Sequence, residues 1–234
     1  MAAKNKFMNA MKMPAIADIF SSEAERQQMS GDLVTEVPLS ELHPFVNHPF
    51  EVRDDEDMQK LVDSIKENGV LTNLTVRPRA EGGYEIISGH RRFHAAQLAG
   101  LDKIKVQVRD VDDDQAIIDM VDANIQREHI SPMEKARALK MKNEAMKRSA
   151  GRRKENGCQL DTHFPEAKTA AQIGADVGES PKQIFRYIRL NELIPELQKK
   201  VDSNTLKFNP AVELSYLTPD EQQSFLDYAE AQDC

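Results

Sequence analysis

The stretch Tyr84–Gly100, YEIISGHRRFHAAQLAG, constrains the fold most. A short β-rich run passes through Ser88-Gly89 directly into a helix that carries Arg91 and Arg92 in its first turn. Glycine lets a backbone approach a ligand closely, the first N–H groups of a helix point outward without partners, and two guanidiniums add forked charged donors. The junction therefore reads as an anion site suited to a polyphosphate. A plainer reading stays open beside it, since two arginines opening an amphipathic helix also make an ordinary solvated face.

Around this junction the segment Leu33–Arg109 reads as α+β. LVTEVPLSEL has the pattern of a short strand and turn, and a Pro-containing loop follows over His43–Phe50. Met58, Leu61, Val62 and Ile65 recur at helical spacing behind the acidic run Asp54–Asp57, and Gly69 stops that helix. Val70–Arg77 and Tyr84–Ile87 are β-rich runs about the turn Ala80–Gly83, and Ile104–Val108 alternates as a further strand. Met1–Asp32 shows no sustained period and reads as a flexible tail with one short helix near Ile16–Phe20.

From Asp112 onward the pattern is helical. Ser131 with Glu134, Thr169 with Gln172 and Ser180 with Gln183 have the capping-box spacing that starts helices, and Pro132 and Pro181 suit a first helical position. The polar stretch Arg148–Lys168 reads as a mobile basic loop holding Arg152, Arg153 and Lys154. TAAQIGADV, a turn at Gly178 and SPKQIFRYIRL then form a helix-turn-helix pattern. In that geometry Lys182, Gln183 and Arg186 point toward base edges and phosphates, whereas in an ordinary helical hairpin they would only face solvent.

The net charge of −8 speaks against nucleic acid only as a whole-chain sum, because its distribution is uneven. Residues 1–130 carry 15 Lys+Arg against 23 Asp+Glu, residues 131–190 carry 13 against 7, and residues 191–234 carry 3 against 9. A basic middle between acidic ends suits a segment that tracks phosphates. No apolar run reaches the roughly 18 residues of a membrane span, and Met1–Phe20 lacks a secretory signal's apolar core. Cys158 and Cys234 make neither a disulfide framework nor a four-thiolate zinc site. His90 and His94 stand at i and i+4, yet without a completing carboxylate motif they read as phosphate-proximal and packing residues; Asp112–Asp114 read as helix caps.

These residues carry a family resemblance. VDSIKENGV, ISGHRR, ANIQREHISPMEKARAL and GESPKQIFRYIRLNELIPELQ resemble, in order, segments of the ParB/RepB-type plasmid or chromosome partition proteins, over about Val34–Leu217. The resemblance implies an α+β ParB/sulfiredoxin-like N-terminal domain followed by an all-α helix-turn-helix DNA-binding domain. The expected division is a tail over 1–32, a nucleotide-binding domain over 33–130 and a DNA-binding domain over 131–234. In such proteins CTP with magnesium closes two N-terminal domains into a clamp on DNA after loading at a centromere-like site. Carried over to this chain, the nucleotide would meet Gly69, Ser88, Gly89, His90, Arg91, Arg92, Asn124, Gln126 and Arg127, with Asn124 helping to place Mg2+ through the nucleotide. DNA contacts would come from Thr169, Ser180, Lys182, Gln183, Arg186, Tyr187 and Arg189, aided by Arg152, Arg153 and Lys154.

The implied partners are double-stranded DNA, a second copy of the chain and a ParA-type ATPase, in a cytoplasmic, DNA-associated setting without a membrane. Family members usually continue into a C-terminal dimerisation domain, so a chain ending at Cys234 reads as truncated. His90 and Ala123 stand where many relatives have Glu, and neither is suited to activate water, so CTP binding with weak hydrolysis is the expectation. The SGHRR box has no cysteine, which removes the sulfiredoxin reaction. Two alternatives remain: a transcriptional or nucleoid-associated regulator on the same scaffold, and a phosphotransferase or nuclease of the sulfiredoxin-like fold.

Overall fold

The computed structural model describes residues 33–127, 130–154 and 165–232. The expected tail over 1–32, both cysteines and the middle of the basic stretch lie outside them.

Five strands form one mixed sheet in the order β1-β5-β3-β4-β2: β1 (Leu33–Pro38), β2 (Leu42–His43), β3 (Leu74–Pro78), β4 (Tyr84–Ser88) and β5 (Lys103–Val108). The β1/β5 and β3/β4 pairs are antiparallel, while β3/β5 and β2/β4 are parallel. Between β3 and β4 the chain reverses at Arg79–Gly83, where Arg79 N–H donates to Gly83 O at 3.0 Å. The two-residue β2 lies in the turn and Pro-containing loop region of the sequence reading, and a strand so short leaves no alternation to read.

Helices α1 (Glu56–Asn68) and α2 (His90–Ala99) pack together beside the sheet. Asp55 caps α1, accepting Met58 N–H at 2.8 Å, and Met58, Val62 and Ile65 bury the predicted apolar stripe against Ala95. Strand β4 places adjacent residues in different cores. Ile86 joins Leu74, Val76, Phe93 and Val106, whereas Ile87 joins Phe45, Phe50 and residues of the helices that follow.

Those helices are α3 (Asp113–Asp122), α4 (Pro132–Lys154), α5 (Pro165–Val177), α6 (Pro181–Arg189), α7 (Pro195–Asp202), α8 (Phe208–Leu214) and α9 (Pro219–Gln232). The long α4 serves two cores: Met133 and Ala136 meet Leu190, Leu197 and Val212, and Ala138 and Leu139 meet Met120, Ile173 and Ile184. Its capping box forms as expected, with Ser131 N–H donating to Glu134 Oε2 (3.0 Å) and Glu134 N–H to Ser131 Oγ (3.1 Å). Glu134 Oε1 also accepts Glu51 N–H at 2.9 Å, which fastens the loop before α1 to the start of α4. Lys142, only 2% exposed, donates to Asp122 of α3 (2.6 Å) and Asp176 of α5 (2.8 Å), so one ammonium ties three helices together.

Two expectations need correction. The polar run from Arg148 is not all loop: α4 continues to Lys154, because apart from Gly151 the run KRSAGRRK is made of residues that tolerate a helix, and Arg148 is anchored to Asp114 at 2.7 Å. Nor does Thr169 open a helix. α5 begins four residues earlier at Pro165, and the Thr169 hydroxyl is buried, donating to Asn143 Oδ1 at 3.0 Å.

Candidate anion site and nucleic-acid interface

The first site forms where β4 turns into α2. Gly89 holds φ +105°, a conformation an L side chain rarely adopts, and a methyl there would lie 2.8 Å from Leu74 Cγ and 3.2 Å from Arg92 Nη2. Glycine thus serves both the turn and the close approach. No side chain caps α2, so its leading N–H groups and dipole are offered to whatever sits above Gly89.

Three guanidiniums gather around this end. Arg127 is drawn below the ordinary arginine range by partial burial and then by repulsion from Arg91 and Arg92, with Glu134 pulling the other way. Partial burial also lowers Arg92. Like charges held this close favour an anion among them. Their commitments differ. Arg92 Nη1 donates to the Thr72 (2.6 Å) and Asn73 (2.8 Å) carbonyls, so this arginine also clamps the loop that follows Gly69. Arg91 reaches Asp55 at 3.4 Å, a long ion pair that a stronger anion can displace.

His90 does not add a cation. Its Nε2 accepts Phe45 N–H at 3.3 Å, its ring lies 3.8 Å from that of His48, and burial, then His48 and Arg127, push its pKa down to about 3. His48, itself lowered chiefly by burial, donates from Nδ1 to Phe50 O at 2.7 Å. The pair is neutral at pH 7 and holds the loop over 45–50 against the start of α2. His94 takes a separate partner, Asp54, at 2.7 Å, so the two histidines do not converge on one metal. Among the described residues no cluster of three His, Cys, Asp or Glu side chains could hold an ion.

The second predicted box follows α3. Asn124 is buried and its amide donates to Met120 O at 2.6 Å, whereas Ala123 and Gln126 are exposed and Arg127, though solvent-accessible, is partly desolvated by the groups around it. Arg127 is the member of this box that the electrostatics bring to Arg91 and Arg92. Ser88 and Gly89 share the turn, and Gly69 ends α1 just before the loop that Arg92 clamps.

The second site is the pair α5 and α6. Glu179 N–H donates to Gly174 O at 2.8 Å, and a methyl on Gly174 would sit 2.5 Å from Glu179 O, so only glycine admits so tight a crossing. Ser180 caps α6 as expected, accepting Gln183 N–H at 3.2 Å, and Ile184 seats the helix in the core. Of the predicted contact residues, Lys182 is exposed and Gln183 half-buried. Arg186 turns toward α8, donating to Asn209 Oδ1 and lying 5.0 Å from the Phe208 ring centroid. Tyr187 packs on Phe208 at 4.8 Å, and Arg189 donates to Ser215 O at 2.8 Å, 4.5 Å from the Tyr216 centroid. Thr169 is buried and braces α4. Arg152, Arg153 and Lys154 lie in the last turn of α4, and their side chains are outside the described residues.

Sequence reasoning passed over Asp54 and Asp55 as partners of α2, His48 beneath His90, and Phe185, which stands 39% exposed on α6. For the last, the available signal was an aromatic standing out of phase with the apolar Ile184–Ile188 spacing of its helix. Among the described residues no helix is long and apolar enough to cross a membrane.

Comparison with known proteins places these sites in context. Residues 23–125 match the model of the ParB N-terminal domain. A probable chromosome-partitioning protein ParB from Pseudomonas putida is 46% identical over 170 residues, covering 73% of this chain and 52% of its own length. Its counterpart from Neisseria meningitidis serogroup A is 39% identical over 193 residues, covering 82% and 60%. The first of these relatives, from Thermus thermophilus, is covered to 64%, so the chain spans about half to two thirds of their lengths. In fold it is similar to the C-terminally truncated chromosome-partitioning protein ParB of Caulobacter crescentus complexed to the centromeric parS site, with a TM-score of 0.50, 24% identity, and coverage of 82% of this chain and 97% of that one.

Proposed function

We propose, because the chain belongs to the ParB family of partition proteins, that it binds a specific duplex DNA site and uses CTP as a switch ligand in DNA segregation. The observation that carries the nucleotide half is the uncapped start of α2 at Gly89, with Arg91, Arg92 and Arg127 electrostatically coupled around it. A polyphosphate fits that donor set: backbone N–H groups take oxygens, Arg91 exchanges its long contact with Asp55 for a phosphate, and Arg127 loses the repulsion it suffers in the free protein. Mg2+ would neutralise the remaining phosphate charge and be held mainly by the nucleotide; Asn124, which the family resemblance nominates for the ion, is buried with its amide on Met120 O and would have to turn its oxygen outward to reach it.

The chain's own residues supply positioning more than chemistry. His90 is neutral, buried and engaged by Phe45 N–H, and Ala123 has no titratable group, so neither serves as a base toward water. In this reading the nucleotide acts through its different affinity for open and closed pairs of the chain, and leaves mostly uncleaved. The DNA half rests on α5 and α6, with Lys182 and Gln183 at the leading end of α6 and the basic end of α4 supplying phosphate contacts. A second copy and a ParA-type ATPase are the partners this role requires.

Calorimetric titration with CTP, ATP, GTP and UTP in the presence of Mg2+ tests the proposal. CTP binds most tightly, and Arg91→Ala and Arg127→Ala each weaken it at least tenfold, since a charged hydrogen bond is worth about 1.5–3 kcal/mol. Equal affinity for all four nucleotides, or full binding by both variants, overturns it.

A further inference from the structure

We infer that Phe185 is a specificity-determining residue which packs against the 5-methyl group of a thymine in the major groove; the inference rests on the proposed DNA-reading role of α6. Helical geometry puts Lys182, Phe185 and Arg189 on one side of α6, opposite the buried Ile184. On that side Arg189 is engaged within the protein, as are Arg186 and Tyr187 elsewhere on the helix, which leaves Lys182 and Phe185 outward. Arg189 is tied to Ser215 O, Arg186 to Asn209 and the Phe208 ring, and Tyr187 to Phe208. Phe185 keeps 39% of its surface exposed beside Lys182. An aromatic hydrocarbon left outward on a helix flanked by cations gains nothing from phosphate and has no hydrogen bond to offer a base edge. In the major groove the one apolar group a base pair presents is the thymine methyl, and aromatic contact with it is an established mode of direct readout.

The charge of the surroundings favours DNA over an apolar protein partner, since Lys182 is exposed next to the ring and residues 131–190 carry 13 Lys+Arg against 7 Asp+Glu. Phe185 thus adds to the polar readout of Lys182 and Gln183 a preference for a methylated pyrimidine at one position of each half of the site.

The test uses the duplex that the full chain selects from a randomised pool. Each thymine is replaced in turn by deoxyuridine, which deletes the methyl and leaves every hydrogen bond. With the unmodified protein, one replacement per half-site lowers affinity about fourfold, the value of one buried methyl-sized group. Phe185→Ala becomes indifferent to that same replacement while its affinity for scrambled duplex stays within twofold, and Phe185→Leu retains part of the sensitivity. The inference is overturned if no thymine is methyl-sensitive, or if Phe185→Ala keeps the full fourfold effect. A permanently kinked duplex, with Phe185 wedged between base steps, overturns it as well. Selection of no duplex at all refutes the DNA-reading role itself.

Discussion

Replacing Lys142 by methionine probes what holds α3, α4 and α5 together. The side chain is 2% exposed and its ammonium makes two charge-assisted bonds, 2.6 Å to Asp122 and 2.8 Å to Asp176. Each is worth about 1.5–3 kcal/mol. Two effects reduce the net loss: the variant no longer buries an ammonium, and the two carboxylates, 44% and 46% exposed, recover water when their partner goes. Methionine also keeps most of the apolar stem in place. The balance is a destabilisation of about 2 kcal/mol, which for a chain of this size is roughly 4–8 °C in Tm. Asp122→Asn with Asp176→Asn should cost more, about 3–5 kcal/mol, because the buried ammonium is then left without a counter-charge. Urea denaturation of the three proteins gives both numbers. A Lys142→Met protein as stable as the parent, or an asparagine pair less damaging than the methionine, would refute the view that this ammonium braces α3, α4 and α5.

Gly89→Ala should destabilise by about 2–4 kcal/mol, from the positive φ and from the methyl forced 2.8 Å from the fully buried Leu74; a denaturation midpoint matching the parent would contradict that geometry. His90 predicts a pH dependence: its pKa is about 3 when folded and near 6.5 when unfolded, so the unfolded chain binds more protons between these values. Stability contributed by the neutral ring is complete above about pH 6.5 and declines as pH falls, by up to about 1.4 kcal/mol per unit. His90→Gln keeps an acceptor for Phe45 N–H and should flatten the slope measured between pH 6.5 and 5, with His48 leaving a residue of it; an unchanged slope rules the histidine out.

What could be read in advance was whatever local chemistry determines. The strand-glycine-helix junction at Gly89, the Asp112 and Ser180 caps and the reciprocal Ser131–Glu134 box are formed by neighbours three or four residues apart, and all are present. The Thr169–Gln172 spacing satisfied the same rule and failed, because a residue suited to a cap is also suited to a buried bond with Asn143 when α5 starts earlier. Composition misled at Arg148–Lys154, where a highly charged run turned out to be helix. The Arg92 clamp on Thr72 and Asn73, the His48–His90 stack and the Lys142 brace join residues about twenty to forty positions apart. No periodicity records such pairings, and they decide which arginine is free for a ligand.

The two adjacent isoleucines of β4 bear on how the proposed DNA-reading role could be altered. Ile86 belongs to the sheet's own core, but Ile87 shares its surroundings with Met120, Leu139, Ile173 and Ile184, so the apolar seam between sheet and helices is continuous. Cutting there would bare a patch of the kind that promotes aggregation, and transplanting the whole helical half from a relative would require that seam to match side chain for side chain. The outward side of α6 is under no such constraint. Only Ile184 of that helix is fully buried, and Lys182, Gln183 and Phe185 can be exchanged without disturbing either core. On the proposed DNA-reading role of α6, a change of target is therefore easiest a few side chains at a time, with both cores left as they are.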